Sequence, residues 1–174
     1  MTKDEEQVKP DGHAGADDLK MDARVEALKS RLWPLIMNRQ LSPEDMPDLL
    51  EVAARRAEAD PAIRAYLASA DETVQIKVDG TAPGRWMWLR IDRGKVSTGR
   101  GPITPTVTVE FVDEKSLVKV ATDVAALAAR YQASSLSGVD LLTPLGLELL
   151  VLNRQSIRVS GDFSRLFASF RGGA

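Results

Sequence analysis

Apolar and polar residues change their period several times along this chain, and each change marks an element. Residues 24–37 place Val25, Leu28, Leu32 and Leu35 or Ile36 on one helical face, with Pro34 set to kink or shorten the helix. Ser42-Pro43-Glu44-Asp45 supplies a cap, a proline at the first helical position and acids in the first turn, which complement the free N–H groups and the helix dipole. This predicts a helix running to about Ala59. Asp60-Pro61 repeats the start signal for a further helix that carries Ile63, Tyr66 and Leu67 inward.

The period then drops to two. Val74, Ile76 and Val78 alternate with Gln75 and Lys77, and Asp79-Gly80 begins a turn that extends to Pro83-Gly84. Residues 85–92 put Met87, Leu89 and Ile91 on one face and Trp86, Trp88 and Arg90 on the other. Arg93-Gly94 then connects tightly to a strand over 95–98. After the turn-rich 99–105, Val107, Val109 and Phe111 alternate with Thr106, Thr108 and Glu110, and near the C-terminus Ile157 and Val159 alternate again. The apolar sets make one continuous side for a single sheet. A sheet with one polar face is usually antiparallel or mixed, with its helices gathered on the apolar face. Trp86 and Trp88 break the polar side. Either the N-terminal helices or a second subunit covers them, or they are partly exposed cross-strand packers.

From Asp113 the helical period returns. Asp113 is placed to cap a helix over 114–120, and Asp123 to start a second that carries Val124, Leu127, Ala128 and Tyr131. A polar loop follows at 134–138, and Thr143-Pro144 can open a helix over 145–152 in which only Gly146 and Glu148 are not apolar. A helix apolar on nearly every side is surrounded by protein, ligand or lipid. Three readings stay open for 141–152: a buried helix, the wall or lid of a lipid cavity, or a surface that dips into a bilayer. After Val159, Gly161 marks a corner, Asp162 can cap a new helix, and Phe163, Leu166, Phe167 and Phe170 take helical spacing.

Composition narrows the chemistry. The 174 residues carry a net charge of −2 with no cysteine and one histidine, His13, so thiolate nucleophiles, disulfides and a core Ser-His pair are excluded. No basic stripe suggests nucleic acid as a partner. Residues 1–22 are polar and acidic, which predicts a disordered tail, with no apolar region of a secretory signal. The longest nearly apolar run is about twelve residues, short of the roughly 20 that cross a bilayer, so a soluble, cytoplasmic protein with at most transient membrane contact is expected. Gly99-x-Gly101 lacks the third glycine of a phosphate loop and reads as a turn. Glu110 and Asp113 read as surface charge. Glu148 reads as an exposed helix edge or as a headgroup contact that Arg154 or Arg158 could pair with.

The order of these elements over residues 62–170 resembles the sterol carrier protein-2 (SCP2) lipid-binding family. The resemblance rests on Val74-Gln75-Ile76-Lys77-Val78-Asp79-Gly80, the Trp-bearing strand, the Asp92-Arg93-Gly94-Lys95-Val96 hairpin, the strand over 106–112, the helices after Asp113, and the closing Ile157-Arg158-Val159-Ser160-Gly161-Asp162. It implies an α+β fold: a five-stranded mixed sheet with helices on one face and an apolar tunnel between the layers, here preceded by extra N-terminal helices. The expected organisation is a tail over 1–22, a helical extension over 23–60 and an SCP2-like domain over 61–171. Two departures stand out: the Leu-rich 139–152 expands the link into the last strand, and the chain ends Gly172-Gly173-Ala174 rather than in a Ser-Lys-Leu-type peroxisomal address.

On that reading the protein is a non-enzymatic carrier of a lipid, sterol-like molecule, isoprenoid or quinone, with no cofactor, metal or catalytic residue. Met87, Leu89, Ile91, Val109, Phe111, Leu127, Tyr131, Leu145, Leu149 and Phe167 are expected to line the tunnel. The alternative is an accessory or scaffold subunit that organises enzymes acting on lipophilic intermediates. A homodimer or partner enzyme would then dock through Trp86 and Trp88.

Overall fold

A computed structural model describes residues 14–132 and 154–162 of the chain. Its elements run α1 (Ala14–Met37), a 3-10 turn (Pro43–Asp45), α2 (Met46–Ala59), α3 (Pro61–Ser69), β1 (Asp71–Val78), a second 3-10 turn (Pro83–Arg85), β2 (Met87–Asp92), β3 (Lys95–Arg100), β4 (Val107–Phe111), α4 (Glu114–Gln132) and β5 (Ile157–Gly161). The fold is α+β, built on a five-stranded mixed sheet ordered β3-β2-β1-β4-β5. β1 and β4 are parallel, while every other neighbouring pair is antiparallel.

α1 buries Val25, Leu32 and Ile36, with Leu28 and Leu35 half-buried beside them. This is the face the spacing predicts. Two expectations for this region are corrected. The helix passes through Pro34 and ends at Met37, so the proline does not shorten it. It also begins at Ala14, inside the stretch whose composition reads as a disordered tail, because Ala14, Ala16, Leu19, Lys20 and Met21 favour helix and Asp17 and Asp18 suit its first turns. α1 stops in a Schellman turn: Gln40 N–H donates to Leu35 O at 2.8 Å and Arg39 N–H to Ile36 O at 3.1 Å, with Arg39 at φ 55°.

The Ser42 signal opens a 3-10 turn with Pro43 at its first position, and α2 follows from Met46. Asp45 Oδ2 accepts hydrogen bonds from the Ser42 N–H (3.0 Å) and hydroxyl (2.8 Å), and Asp45 Oδ1 accepts one from Arg31 of α1 at 2.6 Å. The same guanidinium reaches Asp48 at 2.7 Å, so one cation ties α1 to the start of α2. α3 is held at its C-terminus by the β2–β3 hairpin, whose Gly94 and Arg93 N–H groups donate to Leu67 O and Ala70 O. α2 also guards the sheet edge. Glu58 Oε1 accepts the Val96 N–H of β3 at 2.6 Å, which occupies a donor that would otherwise be open to another strand.

α4 is one helix, not two. Asp113 caps it as predicted, accepting the Ser116 N–H at 2.6 Å, but Asp123 lies mid-helix and pairs with Lys119 one turn back and with Arg39. No glycine or proline interrupts this stretch, so an acid that could have capped a new helix is absorbed as a surface ion pair.

Two apolar clusters join the helices to one face of the sheet. In the larger, Leu32 and Ile36 of α1, Met46 and Val52 of α2 and Leu117 of α4 meet Val78, Met87 and Phe111. In the smaller, Ala54, Leu67 and Ala70 meet Ile91 and Val96. The helices expected as an N-terminal extension therefore supply much of the sheet's cover.

The opposite face carries the tryptophans, so the N-terminal helices do not cover them. Lys77 Nζ sits 4.5 Å from the centre of the Trp86 ring. Trp88 lies against Gly99, where an added Cβ would stand 2.4 Å from the indole, and its N–H reaches Arg100 O at 3.3 Å. Gln75 is 1% exposed on this supposedly wet face. Its amide donates to Met87 O (2.7 Å) and Gly101 O (3.2 Å), and its oxygen accepts the Ile103 N–H (2.8 Å). The loop after β3 is thereby pinned to the sheet.

Candidate functional site

Register places the apolar side chains of the helix-facing side in rows across the strands. One row reads Met87, Ile76, Val109, Val159; the next toward the start of β1 reads Leu89, Val74, Val107, Gly161; on the other side lie Val78, Phe111 and Ile157. Burial is uneven along them. Met87, Val78, Phe111 and Val107 are buried, whereas Leu89, Val74, Ile76, Val109, Ile157 and Val159 are only half-buried. Leu89, Val74, Ile76, Val109 and Val159 of this set form a strip from β2 to β5, in which Leu89 packs at the edge of the smaller cluster and Ile76 and Val109 at the edge of the larger.

Five of the expected lining residues fall on this face, but with different duties. Met87 and Phe111 are part of the larger cluster, and Ile91 is part of the smaller. These three are packed against helix side chains. Leu89 and Val109 lie at the margins of the clusters and belong to the strip. Leu127 and Tyr131 fall in α4, with side chains outside the described atoms; Leu145, Leu149 and Phe167 lie outside the described residues. So do His13, Glu148, the Leu-rich 139–152 and the helix expected after Asp162. Val74, Ile76 and Val159 were not assigned a lining role, although their alternation already put them on the apolar side.

One acid shares this face. Glu72, two residues before Val74 and opposite Ile91, is 4% exposed. The Thr106 hydroxyl donates to its Oε2 at 2.6 Å and itself accepts the Thr73 N–H at 3.0 Å. Its Oε1 takes no hydrogen bond among the described residues, and it is not among the fully sealed polar atoms. Sequence reading passed over Glu72 because an acid at a strand end usually points to solvent. The available signal was its place in the period-two set that ends in Val78.

A groove of about 610 Å³ on α1 and α2 is lined by Lys29, Ser30, Trp33, Pro34 and Arg56. Trp33 is 47% exposed there, and two cations share the wall. It lies on the helices, and none of its lining residues belongs to the strip. Among the described residues no three potential metal ligands converge, and no described helix is long and apolar enough to cross a membrane.

No family model matches the chain, and no curated protein matches it. Among solved structures, the chain is similar in part to the stereoselective inverting sec-alkylsulfatase Pisa1 from Pseudomonas sp., at 19% identity and a TM-score of 0.39. The match covers 76% of this chain and 16% of that one. A likeness of that size carries no argument about what this chain does.

Proposed function

We propose that this protein binds a hydrophobic small molecule against the helix side of its sheet, as a non-enzymatic carrier with an SCP2-like layout. The observation that carries this reading is the strip Leu89, Val74, Ile76, Val109 and Val159, neighbouring apolar side chains that stay half-buried at the edges of the two packed clusters. Apolar surface of this kind gains about 25 cal/mol per Å² when it leaves water. A ligand that removes roughly 300 Å² would gain about 7.5 kcal/mol before ordering costs. The five-stranded mixed sheet with helices packed on its apolar face is the arrangement the family resemblance implies.

Lipid extraction and native mass spectrometry of the purified full chain test the proposal, with Val109→Trp as the blocking variant. A co-purifying or displaceable hydrophobic molecule is expected, and filling the strip with indole should release it while the protein stays folded. A protein that carries no lipid and takes up no apolar probe would refute the carrier reading.

A further inference from the structure

The sheet has two edges, and the fold treats them differently. On β3 the Glu58 carboxylate of α2 takes the outward Val96 N–H at 2.6 Å, which blunts that edge. The other edge is β5. Val112 N–H donates to Ser156 O at 3.0 Å and Asp162 N–H to Thr106 O at 3.2 Å, so by the alternation of an antiparallel ladder the even-numbered residues of β5 bond to β4. Ile157 and Val159 therefore turn their N–H and C=O groups away from the sheet, and among the described residues nothing pairs with them there. Arg158, Ser160 and Gly161 are exposed, and Ile157 and Val159 are half-buried. Residues 157–161 contain no proline, and their single charge, Arg158, lies on the face away from the helices. The usual protections of a bare edge, proline and inward charge, are thus missing from β5.

We propose that two copies of this chain join edge to edge through β5, antiparallel about a two-fold axis at Val159. The strand is self-complementary in that register. Centring on Val159 pairs the whole of β5 with its copy, and Val159 then exchanges both N–H···O bonds with its symmetry mate. Arg158 falls opposite Ser160 of the second copy, with Glu110 of its own β4 beside it, so no like charges stand directly opposite each other. Sliding the centre to Arg158 would set arginine against arginine. Ile157 falls opposite Gly161 of the second copy, where the missing side chain leaves it room. The axis is normal to the sheet, so both apolar faces lie on the same side. The row Met87, Ile76, Val109, Val159 then continues into the same row of the second copy, and the half-buried Val159 gains cover from its mate. The dimer stands independently of whether a ligand occupies the strip.

Sedimentation velocity of the full chain, from about 5 to about 500 μM, reads the association. One strand pair is a small interface, so a reversible dimer with a dissociation constant of about 1–100 μM is expected. Val159→Pro removes an outward N–H without touching the ladder to β4, and should weaken the dimer at least about tenfold. Ser160 is exposed on the polar face, so its variants keep the fold and report the register even where the proline variant does not fold. Ser160→Glu meets Arg158 of the second copy and should tighten the dimer about threefold, whereas Ser160→Lys should weaken it about threefold. A monomer at every concentration would overturn the proposal and leave the edge to another segment of the chain or to another protein. A dimer indifferent to a folded Val159→Pro, or one that both Ser160 variants shift in the same direction, would overturn it as well.

Discussion

Gln75→Leu removes the fastener between the sheet and the loop after β3, and its cost can be worked from the geometry. The side chain is 1% exposed and makes three hydrogen bonds, to Met87 O at 2.7 Å, Gly101 O at 3.2 Å and from Ile103 N–H at 2.8 Å. Leucine fills nearly the same space and makes none. At about 1 kcal/mol for each neutral bond, the loss is about 3 kcal/mol. Some of this is recovered by burying an apolar side chain, and some is added because Ile103 N–H loses its acceptor. A net destabilisation of about 2–4 kcal/mol is expected, which lowers the melting temperature by about 10 °C. Urea denaturation followed by tryptophan fluorescence measures it, since Trp88 lies directly opposite Gln75 in the register. Gln75→Glu sharpens the test. It keeps the acceptor for Ile103 but turns a carboxylate toward two carbonyl oxygens, so it should destabilise more at pH 7 than at pH 4. A Leu variant within about 0.5 kcal/mol of wild type, the range of ordinary surface changes, would refute the fastener.

Three further outcomes follow from local geometry. Gly161→Ala should cost about 2–3 kcal/mol, because Gly161 has φ +117° and an added Cβ would stand 2.3 Å from Thr106 O; a denaturation midpoint matching wild type would contradict the close approach of β5 to β4. Arg39→Gly should stabilise by about 0.5–1 kcal/mol, since Arg39 occupies a left-handed helix cap at φ 55°; a loss of stability would mean that its contact with Asp123 outweighs the backbone relief. Asp45 links stability to pH. Burial pushes its carboxyl up, but hydrogen bonds from Ser42 and Arg31 outweigh this and hold it below the ordinary value. A folded value below the unfolded one means the contribution is fully present above about pH 4 and is lost as the pH falls through the folded value. Urea midpoints between pH 7 and 3 should therefore fall less steeply at the acid end for Asp45→Asn than for wild type, and identical acid limbs would count against the linkage.

The sheet was legible because its strands carry their information locally. Val74/Ile76/Val78, Met87/Leu89/Ile91 and Val107/Val109/Phe111 alternate cleanly, and the register sets these residues on one face. Arg93-Gly94 and Ser42-Pro43-Glu44-Asp45 were legible for the same reason, since turn and cap chemistry reside in neighbouring residues. What was not legible depends on residues distant in sequence. Gln75 looks like any polar strand residue until the loop holding Gly101 and Ile103 folds over it, 26 and 28 positions away. Asp123 has the side chain of a helix start, but Lys119 and Arg39 give it partners within an unbroken helix. Alternation likewise assigns Met87 and Val109 to one face without saying that α1 and α2 pack on the first and leave the second at a margin.

That last distinction separates what holds the fold together from what is available to a ligand. Met87 and Phe111 share one closed cluster with α1, α2 and α4, and Ile91 shares another with α2 and α3. Truncating any of them opens a cavity in a packed interior, at about 2–5 kcal/mol for the larger side chains. A binding defect at those positions would be inseparable from a folding defect. Val109 and Val159 are half-buried on strands at the far side of the sheet from β3, and their neighbours already tolerate incomplete cover. On the proposed carrier reading, an occupant of the strip would exchange without dismantling either cluster. Glu72 belongs with the parts that hold the fold: its Thr106 contact ties β1 to the start of β4.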